Sequence, residues 1–303
     1  QQMHTIFLIF LFTFSNALKY DTYLKLYNHS YTDRHYVDFM IAQEIVKHDG
    51  FDWTMYSDRY RYRPNKSLQS LVPSRHGNKR VLGISREVYD LRKHGFVSSV
   101  KDQGECGGCF AFSAAGVLEY HTGRELSVQQ LMECPSNCDG CDGGLMQYIF
   151  EYAKHKAVVS VDQGPYVPYD TSCRRRFAPS LIDIHHFEVM TIDQDPYLEM
   201  RMASLLKRYG PLAVGIDSSS HWMASYRSGV YPASKCSTDI DHAVMVVGFT
   251  PNAWIIKNSW GTDWGVNGYL YLERGKNACG VAEYVSYVTR YEKTLYGKKE
   301  PTV

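Results

Sequence analysis

Residues 103–120 have the sequence QGECGGCFAFSAAGVLEY, which joins a turn rich in glycine and cysteine to an apolar run without proline. This run predicts a buried helix that begins near Cys109. The start of a helix leaves backbone N–H groups without intrahelical partners and carries the positive end of the helix dipole. A cysteine at that position lies where a thiolate, its nucleophilic form, is stabilised.

Two polar residues far along the chain can complete a nucleophilic site. His242 lies in the sequence DHA, 133 residues after Cys109, and Asn258 lies in KNSWG, 149 residues after it. A histidine can exchange a proton with the thiol and with a leaving amine, and an amide can orient the imidazole ring. Each residue alone could be an ordinary core or surface residue, but three separated motifs at these spacings form a specific signal.

Together these motifs resemble those of the papain-like cysteine proteases, and the nearest likeness is to the cathepsin L group. The resemblance covers about residues 84–290. It implies that Cys109 is the nucleophile, that His242 is its acid–base partner and that Asn258 orients the ring. It also implies that Gln103 and the Cys109 N–H form an oxyanion hole. The implied reaction is peptide hydrolysis through a thiolate–imidazolium pair and an acyl-enzyme.

The rest of the chain predicts helices first and strands later, which indicates an α+β fold. A capping box at Ser127–Gln130 opens the second predicted helix, which runs towards Cys134. The third helix is predicted over 145–154, and the fourth over 196–209 with Asp195 as its N-cap. The predicted strands are short apolar runs at 212–216, 243–249, 253–256 and 269–273. The resemblance implies a papain-like two-lobed fold, with a helical left lobe, a β-barrel-like right lobe and the active-site cleft between them.

All eight cysteines follow residue 105, and a secreted chain favours disulfides. The resemblance implies the pairs Cys106–Cys141, Cys134–Cys173 and Cys236–Cys279, which leaves Cys138 over. A zinc site at 134–141 is disfavoured, since its three thiols lack a fourth ligand. We predict the pair His185–His186 to be exposed rather than metal-binding. We therefore expect no cofactor and no metal, and the net charge of +1 gives no reason to expect a nucleic-acid partner.

The resemblance also implies, by position, a set of substrate-binding residues. Gly143 and Gly144 would hold the substrate backbone by β-type hydrogen bonds, and Gly215 would widen one wall of the S2 pocket. Tyr284 would form the floor of that pocket, so we predict a hydrophobic, mid-sized residue at P2, two positions before the scissile bond. Trp260 would border the primed side, and Trp264 would shield the His242–Asn258 contact from water. The full predicted set is Gly143, Gly144, Leu145, Met146, Gly215, Ala243, Trp260 and Tyr284.

The N-terminal third predicts a secretory zymogen. Residues 1–17 are predicted to be a signal peptide, because the apolar run 6–12 is too short to span a bilayer. Residues 18–84 would be a propeptide, with a predicted helix over 33–48 and glycosylation sequons at Asn28 and Asn65. Residues 85–303 would be the peptidase domain, with a disordered tail at 289–303. We expect the secretory pathway, with a lysosome, an acidic vacuole or the extracellular space as destination, and no membrane association of the mature form.

Several positions depart from the family pattern. Phe110 stands where the family has tryptophan, Gly108 stands where it has serine, and the sequence YDLR at 89–92 replaces an Asp-Trp-Arg stretch. Phe110 keeps an apolar ring, so we expect activity. The stretch between Cys173 and Pro211 lacks the kind of insertion that turns relatives into exopeptidases, so we expect an endopeptidase. The expected partners are peptide substrates, the chain's own propeptide and cystatin-type inhibitors, and the expected state is a monomer. The alternative is a catalytically inactive homologue that acts as a binding protein.

Overall fold

The computed structural model describes residues 87–173 and 182–293. The predicted signal peptide, the predicted propeptide with its helix over 33–48, and the sequons at Asn28 and Asn65 lie outside the described residues.

Within the described residues, five α-helices and eight strands alternate with short 3₁₀ turns. The helices are α1 Cys109–Thr122, α2 Val128–Glu133, α3 Met146–His155, α4 Leu198–Tyr209 and α5 His221–Ala224. The strands are β1 Tyr89–Asp90, β2 Ile182–Met190, β3 Leu212–Ile216, β4 Val230–Tyr231, β5 His242–Phe249, β6 Ala253–Lys257, β7 Tyr269–Glu273 and β8 Val285–Lys293. In this part of the chain no helix is long and apolar enough to cross a membrane.

Helix α1 is the central helix of the fold. Every residue from Cys109 through Glu119 is buried, as expected for a helix that is apolar on all sides. It ends at Gly123, whose φ of 71° lies in the left-handed region that favours glycine. On one side it packs against α2 and α3, and on another it packs against β5. Ser113 Oγ donates a 2.7 Å hydrogen bond to the Val244 carbonyl, which fixes the helix against this strand.

Two predicted helix starts differ from the structure. Ser127 does cap α2, since its Oγ accepts a 3.1 Å bond from Gln130 N, but the reciprocal half of the capping box is absent. The Gln130 side chain instead bonds to the neighbouring segment 157–159, because the Val159 carbonyl already accepts from Ser127 N. Helix α4 begins at Leu198 with Tyr197 as N-cap. The Asp195 carboxylate accepts from Tyr197 N at 3.0 Å, which forms a turn before the helix rather than its cap.

The strands form one mixed sheet in the order β2-β8-β3-β5-β6-β7-β4, with β1 paired to β5. Strands β3, β5, β6 and β7 match the predicted runs to within a residue. Every residue of β5 is buried, which explains its continuous apolar sequence.

Strands β2 and β8 correct the prediction of a disordered tail from residue 289. Residues 285–293 pair antiparallel with β2, from Met190↔Val285 to Ile182↔Lys293. Strand β2 lies at the edge of the sheet and β8 lies between β2 and β3. Both strands carry many polar side chains, so neither shows a continuous apolar run. Their mutual backbone pairing provides the hydrogen bonds that a solvated tail would make with water. Residues 294–303 lie outside the described part.

Three disulfides staple the structure: Cys106–Cys141, Cys134–Cys173 and Cys236–Cys279. These are the pairs that the resemblance implied. Cys109 is buried and Cys138 is partly buried, and both lie outside these disulfides. His185 and His186 lie exposed on β2.

Candidate active site

Cys109 is the first residue of α1, and its side chain is fully buried. The residue before it, Gly108, is the N-cap. A Cβ at Gly108 would lie 2.9 Å from Met132 Sδ, so the thioether occupies the space that a serine would need. Met132 also contacts the disulfide sulfur of Cys106 at 3.5 Å. The packing of Met132 thus accounts for glycine at this position.

His242 is the first residue of β5 and is fully buried. Because β6 runs antiparallel to β5, the residue after the end of β6 lies beside the start of β5. That residue is Asn258, and its Oδ1 lies 2.8 Å from His242 Nε2. The same Oδ1 accepts a 2.8 Å bond from Ser259 N, so it is an acceptor and Nε2 is the donor. The structure therefore brings the predicted histidine and asparagine together.

Two tryptophans form layers behind the imidazole. The Trp260 ring stacks on His242 with a centroid distance of 4.8 Å and an interplanar angle of 26°. Trp264 meets Trp260 edge-on at 5.1 Å, and its Nε1 donates a 3.0 Å bond to the Met223 carbonyl. Trp260, which we predicted at the primed side, is thus the ring in direct contact with His242, and Trp264 forms the second layer.

Burial dominates the electrostatics of His242. It lowers the pKa of the imidazole to about 4, while the hydrogen bond to Asn258 acts in the opposite direction. Desolvation penalises the charged ring, so without a neighbouring anion the imidazole would be neutral at pH 5 to 7. An imidazolium at this position therefore requires a negative partner such as a thiolate.

Gln103 is buried, and both ends of its side-chain amide and its backbone N–H form hydrogen bonds. Its Oε1 accepts a 2.6 Å bond from Ser259 Oγ, and its Nε2 donates a 2.8 Å bond to the Cys106 carbonyl. Its backbone N–H donates to the Ser259 carbonyl at 2.8 Å. These bonds fix which end of the amide carries the N–H groups, and Cys106 is three residues before Cys109.

Four of the five predicted S2 residues, Leu145, Met146, Ala243 and Tyr284, belong to the large buried core cluster that also includes much of helix α1. Gly215 adjoins the cluster: its N–H donates a 3.0 Å bond to the Tyr284 carbonyl. A Cβ at Gly215 would lie 2.8 Å from Ile240 Cδ1. The prediction that Gly215 widens one wall of the S2 pocket is therefore wrong, because the Ile240 side chain fills the space beside it.

Both predicted backbone-binding glycines have a structural reason to be glycine. Gly143 has a φ of 123°, a conformation that L-residues rarely adopt. A Cβ at Gly144 would lie 2.6 Å from Phe110 Cε2 and 2.8 Å from Cys138 Sγ. Phe110 and the spare cysteine thus pack together behind Gly144, and burial raises the pKa of the Cys138 thiol to about 12.

Sequence reasoning missed several polar residues next to the site. Ser259 holds Gln103, and Tyr166 Oη donates a 2.7 Å bond to the Gln103 carbonyl. Lys257, directly before Asn258, donates a 2.8 Å bond to Ser98 Oγ, which itself bonds to the buried Glu119.

The Lys257 and Glu119 side chains line a cavity together with Asn258 and Ser259. Burial lowers the pKa of Lys257 to about 8 and raises the pKa of Glu119. The sequence feature that could have indicated this network is Glu119, a carboxylate in the otherwise apolar run of α1.

Comparison with known proteins agrees with this geometry. Residues 85–289 match the family model described as papain family cysteine protease. Cysteine proteinase 15A of Pisum sativum is 40% identical over 230 residues, which cover 67% of this chain and 61% of the relative. Cathepsin K of Gallus gallus is 37% identical over 268 residues, which cover 83% of this chain and 75% of the relative. The chain thus spans less than two thirds of the pea relative's length.

Solved structures show the same papain-like two-lobed α+β fold. The ragweed pollen cysteine protease Amb a 11 in its proform aligns with a TM-score of 0.75 at 27% identity, covering 92% of this chain and 95% of that one. The Carica candamarcensis cysteine protease CMS1MS2 in complex with E-64 aligns with a TM-score of 0.60 at 29% identity, covering 67% and 98%. The matched family, the relatives and the fold agree: the chain belongs to the papain family of cysteine proteases.

Proposed function

We propose that this chain is a cysteine endopeptidase whose nucleophile is Cys109. The observation that carries the proposal is the 2.8 Å bond between His242 Nε2 and Asn258 Oδ1, in a buried site beside a helix that begins with the cysteine. Ser113, one turn into that helix, is bonded to Val244, two residues after His242. The nucleophile's helix and the histidine's strand are therefore fixed to each other close to the proposed catalytic pair.

The reaction would begin with attack of the Cys109 thiolate on the substrate carbonyl carbon. Since Nε2 is engaged by Asn258, Nδ1 of His242 is the proposed proton carrier. The tetrahedral intermediate collapses, the C–N bond breaks, and the imidazolium donates its proton to the departing amine. Water then attacks the thioester, His242 accepts its proton, and cleavage of the C–S bond releases the carboxylic acid and restores the pair.

The proposed oxyanion hole consists of the Cys109 N–H and the Gln103 side-chain amide. The amide nitrogen carries two N–H groups, and one of them is bonded to the Cys106 carbonyl. The second would bond to the oxyanion. Because Ser259 fixes the other end of the amide, this donor would be preorganised, which is what gives such groups their effect on rate.

The proposed specificity is for a hydrophobic, mid-sized P2 residue. The apolar side chains of Leu145, Met146, Ala243 and Tyr284, all buried in the hydrophobic core, support this. Ile240, which fills the space beside Gly215, would narrow the pocket. No acidic residue stands at the proposed pocket floor, so a cationic P2 side chain would be desolvated without a partner. The same proposal includes likeness to the cathepsin L group. It also includes action as an endopeptidase rather than as an exopeptidase.

We further propose synthesis as a secretory zymogen, with residues 1–17 as signal peptide and 18–84 as propeptide. The proform of the ragweed relative supports synthesis as a zymogen, and the E-64 complex of the Carica relative supports inhibitor binding. The lysosomal, vacuolar or extracellular destination, cystatin-type inhibitors, glycosylation of Asn28 and Asn65 and a monomeric state stay predictions.

Peptide hydrolysis after removal of the propeptide tests the proposal. We expect cleavage of a fluorogenic peptide with Leu at P2 and a fall of kcat/KM by at least about 10⁴-fold in Cys109→Ala. The control is Cys138→Ala, which removes the other cysteine outside the disulfides and should retain peptidase activity. A processed, folded wild type without activity would favour the inactive binding homologue.

A further inference from the structure

We propose that Tyr166 is a positioning residue for the oxyanion hole, a role that rests on the proposed peptidase function. Its side chain contacts both segments of the chain that carry the proposed oxyanion donors. One contact is with Gln103, which would supply the side-chain N–H, and the other is with helix α1, whose first residue would supply the backbone N–H.

The contact with Gln103 is a hydrogen bond from Tyr166 Oη to the Gln103 backbone carbonyl at 2.7 Å. On the other side of the residue, Gln103 N donates to the Ser259 carbonyl at 2.8 Å. The backbone of Gln103 is thus held at its N–H by one partner and at its carbonyl by another. Rotation of this backbone would move the side-chain amide, so the tyrosine hydroxyl limits where Nε2 can point.

The contact with α1 is an edge-to-face pair between Tyr166 and Phe112, with centroids 4.7 Å apart and an interplanar angle of 75°. Phe112 is three residues after Cys109 and therefore lies on the same side of the helix. A shift of this ring pair would move the first turn of α1, which carries the Cys109 N–H.

The loop that carries Tyr166 is itself fixed by hydrogen bonds. Tyr166 can therefore hold Gln103 and Phe112 in place rather than move with them. Ser127 Oγ donates a 2.7 Å bond to the Gly164 carbonyl, and Val167 N donates a 2.9 Å bond to Gln129 Oε1. Both anchors belong to α2 or its cap. Burial, with the nearby negative charges of Asp102 and Cys109 acting in the same direction, raises the pKa of Tyr166, so its hydroxyl remains a hydrogen-bond donor at working pH.

The experiment compares Tyr166→Phe with wild type in three reactions of the processed enzyme. The variant keeps the ring against Phe112 and loses only the hydroxyl. We expect kcat/KM for a peptide amide to fall about 3- to 12-fold, the effect of one neutral hydrogen bond, with most of the loss in kcat. The affinity of a peptide aldehyde, whose hemithioacetal oxygen occupies the oxyanion hole, should fall by a similar factor. The rate of Cys109 alkylation by iodoacetamide should stay unchanged, because alkylation forms no oxyanion.

Tyr169→Phe is the matched control, because Tyr169 lies three residues further along the same loop and is 60% exposed. It should match wild type in all three reactions. Equal hydrolysis and aldehyde binding in Tyr166→Phe and wild type would overturn the inference. A parallel loss of alkylation would also overturn it, by showing a general disturbance of the nucleophile. An inactive wild type would instead refute the proposed function, and the inference with it.

Discussion

The proposed catalytic residues and the proposed substrate-binding glycines are held in place by different kinds of interaction. Gln103 and Asn258 are fixed by directional hydrogen bonds whose donors and acceptors can be named. At Gly144 and Gly215, by contrast, the fit depends on shape, because Phe110 and Ile240 fill the space next to each glycine. A change of one polar atom should therefore affect the chemistry strongly, whereas a change of volume should mainly affect which substrates bind.

The largest effect in this comparison is expected for Gln103→Ala. Loss of one oxyanion donor typically lowers kcat about 10²- to 10³-fold. Steady-state kinetics on a peptide substrate would measure it, with Gln194→Ala as an exposed control. An effect confined to KM would contradict the assignment, because the bond is expected to form in the transition state.

The second prediction concerns the charge of His242. Since burial lowers its pKa to about 4, the ring in Cys109→Ala should stay neutral from neutral pH down to about pH 4 and gain its proton only below that. In wild type the thiolate favours the charged ring, so the imidazolium should persist through neutral pH. Nitrogen-15 NMR titration of both proteins, with the signal assigned by a His242→Gln variant, measures this. A His242 ring that titrates near pH 6.5 in both proteins would contradict the thiolate–imidazolium pair.

Gly144→Ala tests the shape-dependent side. The added methyl group would lie 2.6 Å from the Phe110 ring and 2.8 Å from Cys138 Sγ, so the wall must shift. We expect about 1–3 kcal/mol loss of unfolding free energy and about a 10-fold loss of kcat/KM. Denaturant unfolding and kinetics measure these, and Gly144→Ala combined with Phe110→Leu should regain part of both. If Gly144→Ala alone is as stable and active as wild type, the packing around Gly144 tolerates the added methyl group, which would contradict this prediction.

Ile240→Ala should have the smallest effect. Removing the side chain that fills the space at Gly215 enlarges the proposed S2 pocket. The ratio of kcat/KM for Phe over Leu at P2 should rise about 3- to 10-fold, at or below the lower end of the range that one methylene is worth in an apolar pocket. A P2-varied peptide library measures it. An unchanged ratio would place Ile240 outside the pocket.

The same contrast explains what the sequence could and could not predict. Helix α1 and strands β5 and β6 follow from continuous apolar runs, and the motifs around them locate the proposed catalytic residues. Strands β2 and β8 were not predicted, because their stability depends on pairing between segments about 100 residues apart. Ile240 and Tyr166 were missed for a related reason: each acts through a contact with a distant segment, and neither stands in a motif.

Active-site labelling tests the central claim, the identity of the nucleophile, most directly. Wild type and Cys109→Ala, each after propeptide removal, would be treated at acidic pH with an epoxide inhibitor and mapped by mass spectrometry. Burial keeps Cys138 in its thiol form, with a pKa of about 12, so it should not compete. We predict one modification, on Cys109, with loss of peptidase activity in proportion to labelling. Labelling elsewhere, or activity that persists after Cys109 is modified, would contradict the account.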